Sequence, residues 1–230
     1  TEKTKILLLN TPSNPTGGVY TKEELLALGE VLKGTDILVF SDEMYEKIMY
    51  DGTKFTAVAE VSEDMFQRTV TINGISKSVA MTGWRYGYLA TPHKDLVKAI
   101  IKFQGQVTSN VNSITQYAAI TALEGKADAD MEIMRVEFEK RRNVAIEQFN
   151  AIKGLSSVKP DGAFYLFVNI KEITNDSLKF CADLLDKEGV AVVPGLAFGT
   201  EGYFRFSFAT DLESIEEGIS RIKKFVNENY

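Results

Sequence analysis

The sequence predicts an α/β unit over residues 1–110, with a mostly parallel sheet covered by helices. A smaller α+β unit follows over 111–230, opened by a long connecting helix. Three observations carry this. The runs Ile6-Leu-Leu-Leu9 and Ile37-Leu-Val-Phe40 are apolar on every side, the mark of strands covered on both faces, and a helical segment separates them. Beyond the break from Gly154 to Gly162 the texture changes to short aromatic strands between helices. The length of 230 residues gives, at about 150 per domain, one or two domains.

The elements follow in order. Ile6–Leu9 is the first strand, and Asn10 to Gly18 is a loop with two prolines and two glycines. Thr21 caps a helix, and Glu24 three residues later completes a capping box. That helix runs to about Lys33 and stops at Gly34. Ile37–Phe40, Thr69–Ile72 and Tyr86–Ala90 are the next strands, with a mixed segment from Tyr45 to Gln67. Pro92 opens a helix, Ser113–Glu124 is another, and Asp128 to Ala151 is the long one. Its run Glu137-Phe-Glu-Lys-Arg-Arg142 reads as a solvated face. Phe164–Val168, Val190–Val193 and Tyr203–Phe208 are the strands of the second unit, with helices at Ser177–Glu188 and Leu212–Asn229. In the last helix Ile215, Ile219, Ile222 and Val226 form one apolar stripe, read as core. No internal repeat or low-complexity segment interrupts this order.

Composition excludes several function classes. Apolar residues are 44 % and charged residues 25 %, ordinary for a globular protein. A single cysteine forms no internal disulfide, so Cys181 reads as a small core residue of a reducing, cytoplasmic compartment. One Cys and one His (His93) build no Cys/His zinc site, and no metal is expected. No apolar run approaches the roughly 18 residues of a membrane helix, and neither a leader nor a targeting pattern is visible. A net charge of −6 argues against non-specific nucleic-acid binding.

Three polar positions fall at the carboxyl ends of three expected strands: Asn14, Asp42 and Lys77. Ligands of open α/β sheets bind at that end. Each alone has a plain alternative: Asn14-Pro15 is a turn dipeptide, Asp42 a helix cap, Lys77 a solvated lysine. Together they describe one site built from separate loops.

With their flanks, these residues resemble a family, the fold type I pyridoxal-phosphate aminotransferases of the aspartate aminotransferase group. The resemblance rests on Asn14-Pro-Thr-Gly17, Asp42-Glu-Met-Tyr45, Ser76-Lys77 followed by Met81-Thr-Gly-Trp-Arg85-Tyr-Gly87, Pro160-Asp-Gly-Ala-Phe-Tyr165 and Phe204-Arg-Phe-Ser207. It covers essentially the whole chain and makes residues 1–110 part of the cofactor-binding large domain and 111–230 the long helix and small domain. It implies that Lys77 forms the Schiff base with pyridoxal 5'-phosphate and afterwards moves the proton, a task suited to an amine whose pKa falls readily. It assigns Asp42 to the pyridine nitrogen and Tyr45 and Asn14 to the phenolic oxygen. Ser76 and Arg85 take the phosphate, Arg205 clamps the substrate carboxylate with a bidentate fork, and Asn14 is counted with it among the substrate-binding residues. The implied activity moves an amino group from an amino acid, foremost aspartate, to a 2-oxo acid, 2-oxoglutarate, in a homodimer. An upstream part carrying a glycine-rich phosphate loop is expected to be absent from these 230 residues, leaving little activity in the piece alone.

Two departures stand out. Gly74 occupies the position, three before the lysine, where some members carry a second serine. The stretch Gln104–Ser113 lacks the arginine that many aspartate-specific members offer to a distal carboxylate. Rival readings share the residues. A β-lyase, or another fold type I enzyme, uses Lys77, Asp42 and Arg85 as well. A non-catalytic fragment would bind a partner through an exposed edge. A nucleotide-binding domain is disfavoured, because no Gly-x-Gly-x-x-Gly follows the first strand. For single residues plain alternatives also stand: cation–π contact for Arg205, packing for Trp84, solvation for His93.

Overall fold

The two apolar runs are adjacent parallel strands, β1 (Ile6–Asn10) and β2 (Leu38–Asp42), joined through helix α1 (Lys22–Leu32). Thr21 caps α1 as expected: its Oγ1 accepts from Glu24 N, and Glu24 Oε2 accepts from Thr21 N. The computed structural model describes residues 1–230 and divides into two units, 1–12 with 19–133 and 13–18 with 134–230.

In the first unit β3 (Thr69–Gly74) pairs in parallel with β2, and β4 (Gly87–Ala90) pairs antiparallel with β3, giving the order β1-β2-β3-β4. Helix α2 (Glu63–Arg68) precedes β3, capped by Ser62. Leu9, Leu25, Leu32, Val39, Val58, Val61 and Met65 form one core, with Leu7 packed against it. Burying seven such side chains is the main stabilisation of this unit, at about 1.5–3 kcal/mol each. Gly29 lies where α1 meets Met65, and a Cβ there would stand 3.1 Å from Met65 Cγ. β1 is an edge strand covered on one face only: Leu8 is 71 % exposed and Ile6 is exposed beside it, against the expectation of cover on both faces. A run of four apolar residues has no polar alternate to reveal which face lacks its layer.

Helices α3 (Lys94–Val107) and α4 (Ser113–Leu123) follow. No residue of α3 is buried. His93, expected in solvent, precedes α3 half-buried, with its Nε2 buried and without a hydrogen-bond partner. Trp84, expected in packing, is substantially exposed. Helix α5 (Asp128–Asn150) continues from the residues of the first unit into those of the second.

The second unit holds β5 (Tyr165–Asn169), β6 (Val193–Pro194) and β7 (Tyr203–Ser207), an antiparallel sheet of order β5-β7-β6. β6 is shorter than the expected Val190–Val193 run and displaced from it. Pro194 supplies no N–H to a ladder, and a 3-10 turn begins at Gly195. Helices α6 (Ser177–Glu188) and α7 (Leu212–Asn229) complete it. Its core is aromatic: Phe149 packs edge-on against Phe204 and Phe206, and Phe180 stacks on Phe204 and meets Phe225 edge-on. The stripe Ile215, Ile219, Ile222, Val226 is buried as read. Cys181 is buried too, and its thiol is pushed up to about 12 by burial. The charged run of α5 departs from its reading as a solvated face. Arg142 is 0 % exposed, with Nη1 donating to Pro160 O at 3.0 Å and Nη2 lying 3.6 Å from Glu139 Oε1.

Candidate active site

In the first unit Asp42 ends β2, half-buried, and its backbone is tied to the end of β1. Its carbonyl accepts from Thr11 N and from Asn10 Nδ2, each at 3.1 Å. Its Oδ1 accepts from Met44 N at 3.2 Å, a local turn bond typical of Asp. Tyr45, one turn on, is buried. Asp42 is in register with Ile72 of the parallel neighbour β3, and Lys77, half-buried, follows three residues after β3 ends at Gly74. A carboxylate and an amine are thus delivered from the same end of two adjacent parallel strands, the end at which such sheets bind ligands.

Ser76 is half-buried, and its carbonyl accepts from Thr82 Oγ1 at 2.8 Å, closing the loop between β3 and β4. Arg85 follows the 3-10 turn Thr82–Trp84 in the left-handed region, φ 57°, exposed, with Nη1 donating to Thr82 O at 3.0 Å. Gly74 has a structural cause. A Cβ there would stand 2.7 Å from Tyr86 O and 3.1 Å from Gly87 Cα, so the close pairing of β3 with β4 leaves no room for serine.

Glu43, missed in the sequence reading, is buried beside Asp42. Its Oε1 accepts from Ser41 Oγ at 2.8 Å and from Val58 N at 3.1 Å. Burial pushes its carboxyl above the usual range; Glu46 and Glu60 add to this, and the two hydrogen bonds oppose it. Burial raises Glu46 as well. Only the adjacency of two acids at a strand end marked Glu43.

In the second unit Arg205, the middle residue of β7, donates from Nη1 to Asn14 Oδ1 at 2.7 Å. The guanidinium carbon lies 4.4 Å from the centroid of Tyr165 and 5.2 Å from that of Phe198. Both readings of Arg205 therefore meet in one group: it makes cation–π contacts, and its Nε is buried with no hydrogen-bond partner. An orphaned guanidinium N–H is costly unless an anion completes it.

The Asn14 loop is fixed by Gly17, at φ 68°, a backbone that suits glycine. Gly17 O accepts from Asp161 N at 3.0 Å and Gly162 N at 2.9 Å. A Cβ on Gly17 would stand 2.4 Å from Pro160 Cβ. Two motifs of the sequence, Asn14-Pro-Thr-Gly17 and Pro160-Asp-Gly162, thus form one packed pair. Asp42, Tyr45, Ser76, Lys77 and Arg85 belong to the first unit, and Asn14 and Arg205 to the second.

The family model described as aminotransferase class I and II matches residues 1–222. An aspartate aminotransferase of Bacillus subtilis is 48 % identical over 234 residues, covering 100 % of this chain and 59 % of the relative. An asparagine–oxo-acid transaminase of Streptococcus mutans is 42 % identical, with 98 % and 58 % covered. Among solved structures, an aromatic aminotransferase from Pyrococcus horikoshii aligns with a TM-score of 0.94 at 41 % identity, over 99 % of this chain and 61 % of that one. An aspartate aminotransferase from Thermotoga maritima aligns at 0.88 and 42 % identity, over 99 % and 58 %. The chain spans about 59 % of the length of the Bacillus relative. The match over 222 of 230 residues, with the fold shared at TM-scores near 0.9, shows that this chain belongs to the class I and II aminotransferases.

Proposed function

We propose that this chain serves a pyridoxal-phosphate-dependent aminotransferase that moves the amino group of an amino acid, foremost aspartate, to 2-oxoglutarate. The observation that carries it is the delivery of Asp42 and Lys77 from the same end of adjacent parallel strands. The donor set fits the cofactor's chemistry: a carboxylate for a protonated ring nitrogen, an amine for an aldehyde, and a phenol, Tyr45, for the ring oxygen. A hydroxyl, Ser76, and a guanidinium, Arg85, suit a phosphate. Bound there, the cofactor supplies an electron sink for the amino acid's α carbon.

The chain's own residues do the rest. Asp42 holds the ring-nitrogen proton and keeps that end positive. Lys77 Nζ would hold the cofactor's aldehyde end and, once free, would take up and return the α proton. Arg205 binds the α-carboxylate through its unpartnered Nε and its fork, with Asn14 holding Nη1. A homodimer and a cytoplasmic setting belong to this reading; no helix is long and apolar enough to cross a membrane.

The test is transfer of ¹⁵N from labelled aspartate to 2-oxoglutarate by the complete protein. Labelled glutamate supports the reading. Release of free ammonia without it would assign a lyase instead.

A further inference from the structure

We propose that Arg142 is a positioning residue, which acts through the Pro160–Gly162 turn to hold the Asn14 loop against Arg205. This rests on the reading of Arg205 as the carboxylate clamp, and it concerns a residue that never touches substrate. Arg142 lies on α5, fully buried, where a charge is retained only with dedicated partners. Its Nη1 donates to Pro160 O at 3.0 Å. Its Nε and Nη2 donate to Asn143 Oδ1 at 3.1 and 2.8 Å, and Glu139 Oε1 lies 3.6 Å from Nη2.

From Pro160 the connection continues without a gap. The amides of Asp161 and Gly162 both donate to Gly17 O, and Gly17 seats against the turn with no room for a side chain. The Gly17 amide donates to Ser13 O, which closes the loop around Asn14. Asn14 Oδ1 then accepts from Arg205. Each link is a hydrogen bond of 3.0 Å or less within one unit, so the placement of the Arg205 fork depends on a guanidinium on α5. The fork of Arg142 satisfies Pro160 and Asn143 together; a lysine ammonium lacks that planar geometry.

The test compares the 230-residue chain with Arg142→Lys and with Asn143→Ala, which removes the exposed acceptor that steadies the guanidinium. Amide exchange is read at Asp161 and Gly162, with Ile219 of α7 as the control for global opening. Succinate is titrated against the Nε–H resonance of Arg205, identified by its loss in Arg205→Lys. The expected result is exchange at Asp161 and Gly162 faster by about tenfold or more with Ile219 unchanged, and succinate weakened by a similar factor. Unchanged exchange at the two amides, or acceleration equal to that of Ile219, would overturn the proposal and leave Arg142 as general core support. If Arg142→Lys does not fold, Asn143→Ala decides by the same criteria. If the wild-type Arg205 resonance ignores succinate while the two amides respond, the linkage stands and the carboxylate reading of Arg205 fails.

Discussion

Arg205 and Asn14, 191 positions apart in sequence, share a hydrogen bond of 2.7 Å from guanidinium Nη1 to amide Oδ1. The bond uses one donor of the fork and leaves Nε, buried, without an acceptor. Tyr165 and Phe198 lie against the same guanidinium and fix its plane. A cation held in one orientation with a donor unspent is prepared for an anion of matching geometry.

Arg205→Lys keeps the charge and loses the fork. Loss of one charge-assisted hydrogen bond, about 1.5–3 kcal/mol, predicts a fall of roughly 10- to 150-fold in kcat/KM of the complete enzyme. Steady-state kinetics with aspartate checks it; an unchanged value removes Arg205 from substrate binding.

Gly17→Ala places a methyl 2.4 Å from Pro160 Cβ and 2.6 Å from Gly162 O, on a backbone at φ 68°. The left-handed strain of about 1–2 kcal/mol adds to about 1–3 kcal/mol for the forced contact. Gly52→Ala, at φ 73° with open space around it, carries only the strain. Urea unfolding should therefore rank Gly17→Ala as the more destabilised of the two.

Phe149→Ala removes a ring packed edge-on against Phe204 and Phe206. The expected loss is about 3–5 kcal/mol. Val158→Ala, at a position 87 % exposed, should stay within about 0.5 kcal/mol of wild type. Denaturant melts of both variants check the contrast.

Asp211 caps α7, accepting from Ser214 N and Ser214 Oγ at 2.8 Å each. The Ser214 backbone bond first, and its hydroxyl next, hold the carboxyl down at about 2, below its ordinary 3.8. The folded value is the lower one, so this stabilisation is present above pH 3.8 and is lost as pH falls through about 2. Thermal melts from pH 5 to 2 should show the gap between wild type and Asp211→Ala narrowing across that window. A gap independent of pH would contradict the cap.

Where local chemistry sets an element, the sequence reveals it: the Thr21–Glu24 capping box and the α7 stripe stand as read. The strands that lead to Asp42 and Lys77 were legible because β2 opens on an apolar run and β3 alternates threonine with Val70 and Ile72, each closed by polar or small residues. What depends on distant partners was not. Arg142 looks like its charged neighbours on α5, and its burial shows only in the fold, where Pro160 O, Asn143 and Glu139 lie around its guanidinium. Leu8 looks like Leu7, and only the fold shows that Leu7 packs against the core while Leu8 is exposed. Gly74 read as a lost serine, whereas the approach of Tyr86 O requires glycine.

On the proposed reading, Lys77 is the residue that would carry the cofactor. Pyridoxal phosphate added to the 230-residue chain, reduced with borohydride and followed by peptide mapping, tests it directly. The expected result is one pyridoxyl group, on Lys77, that is lost in Lys77→Ala. A label spread over exposed lysines, with Lys77 unmodified, would contradict it.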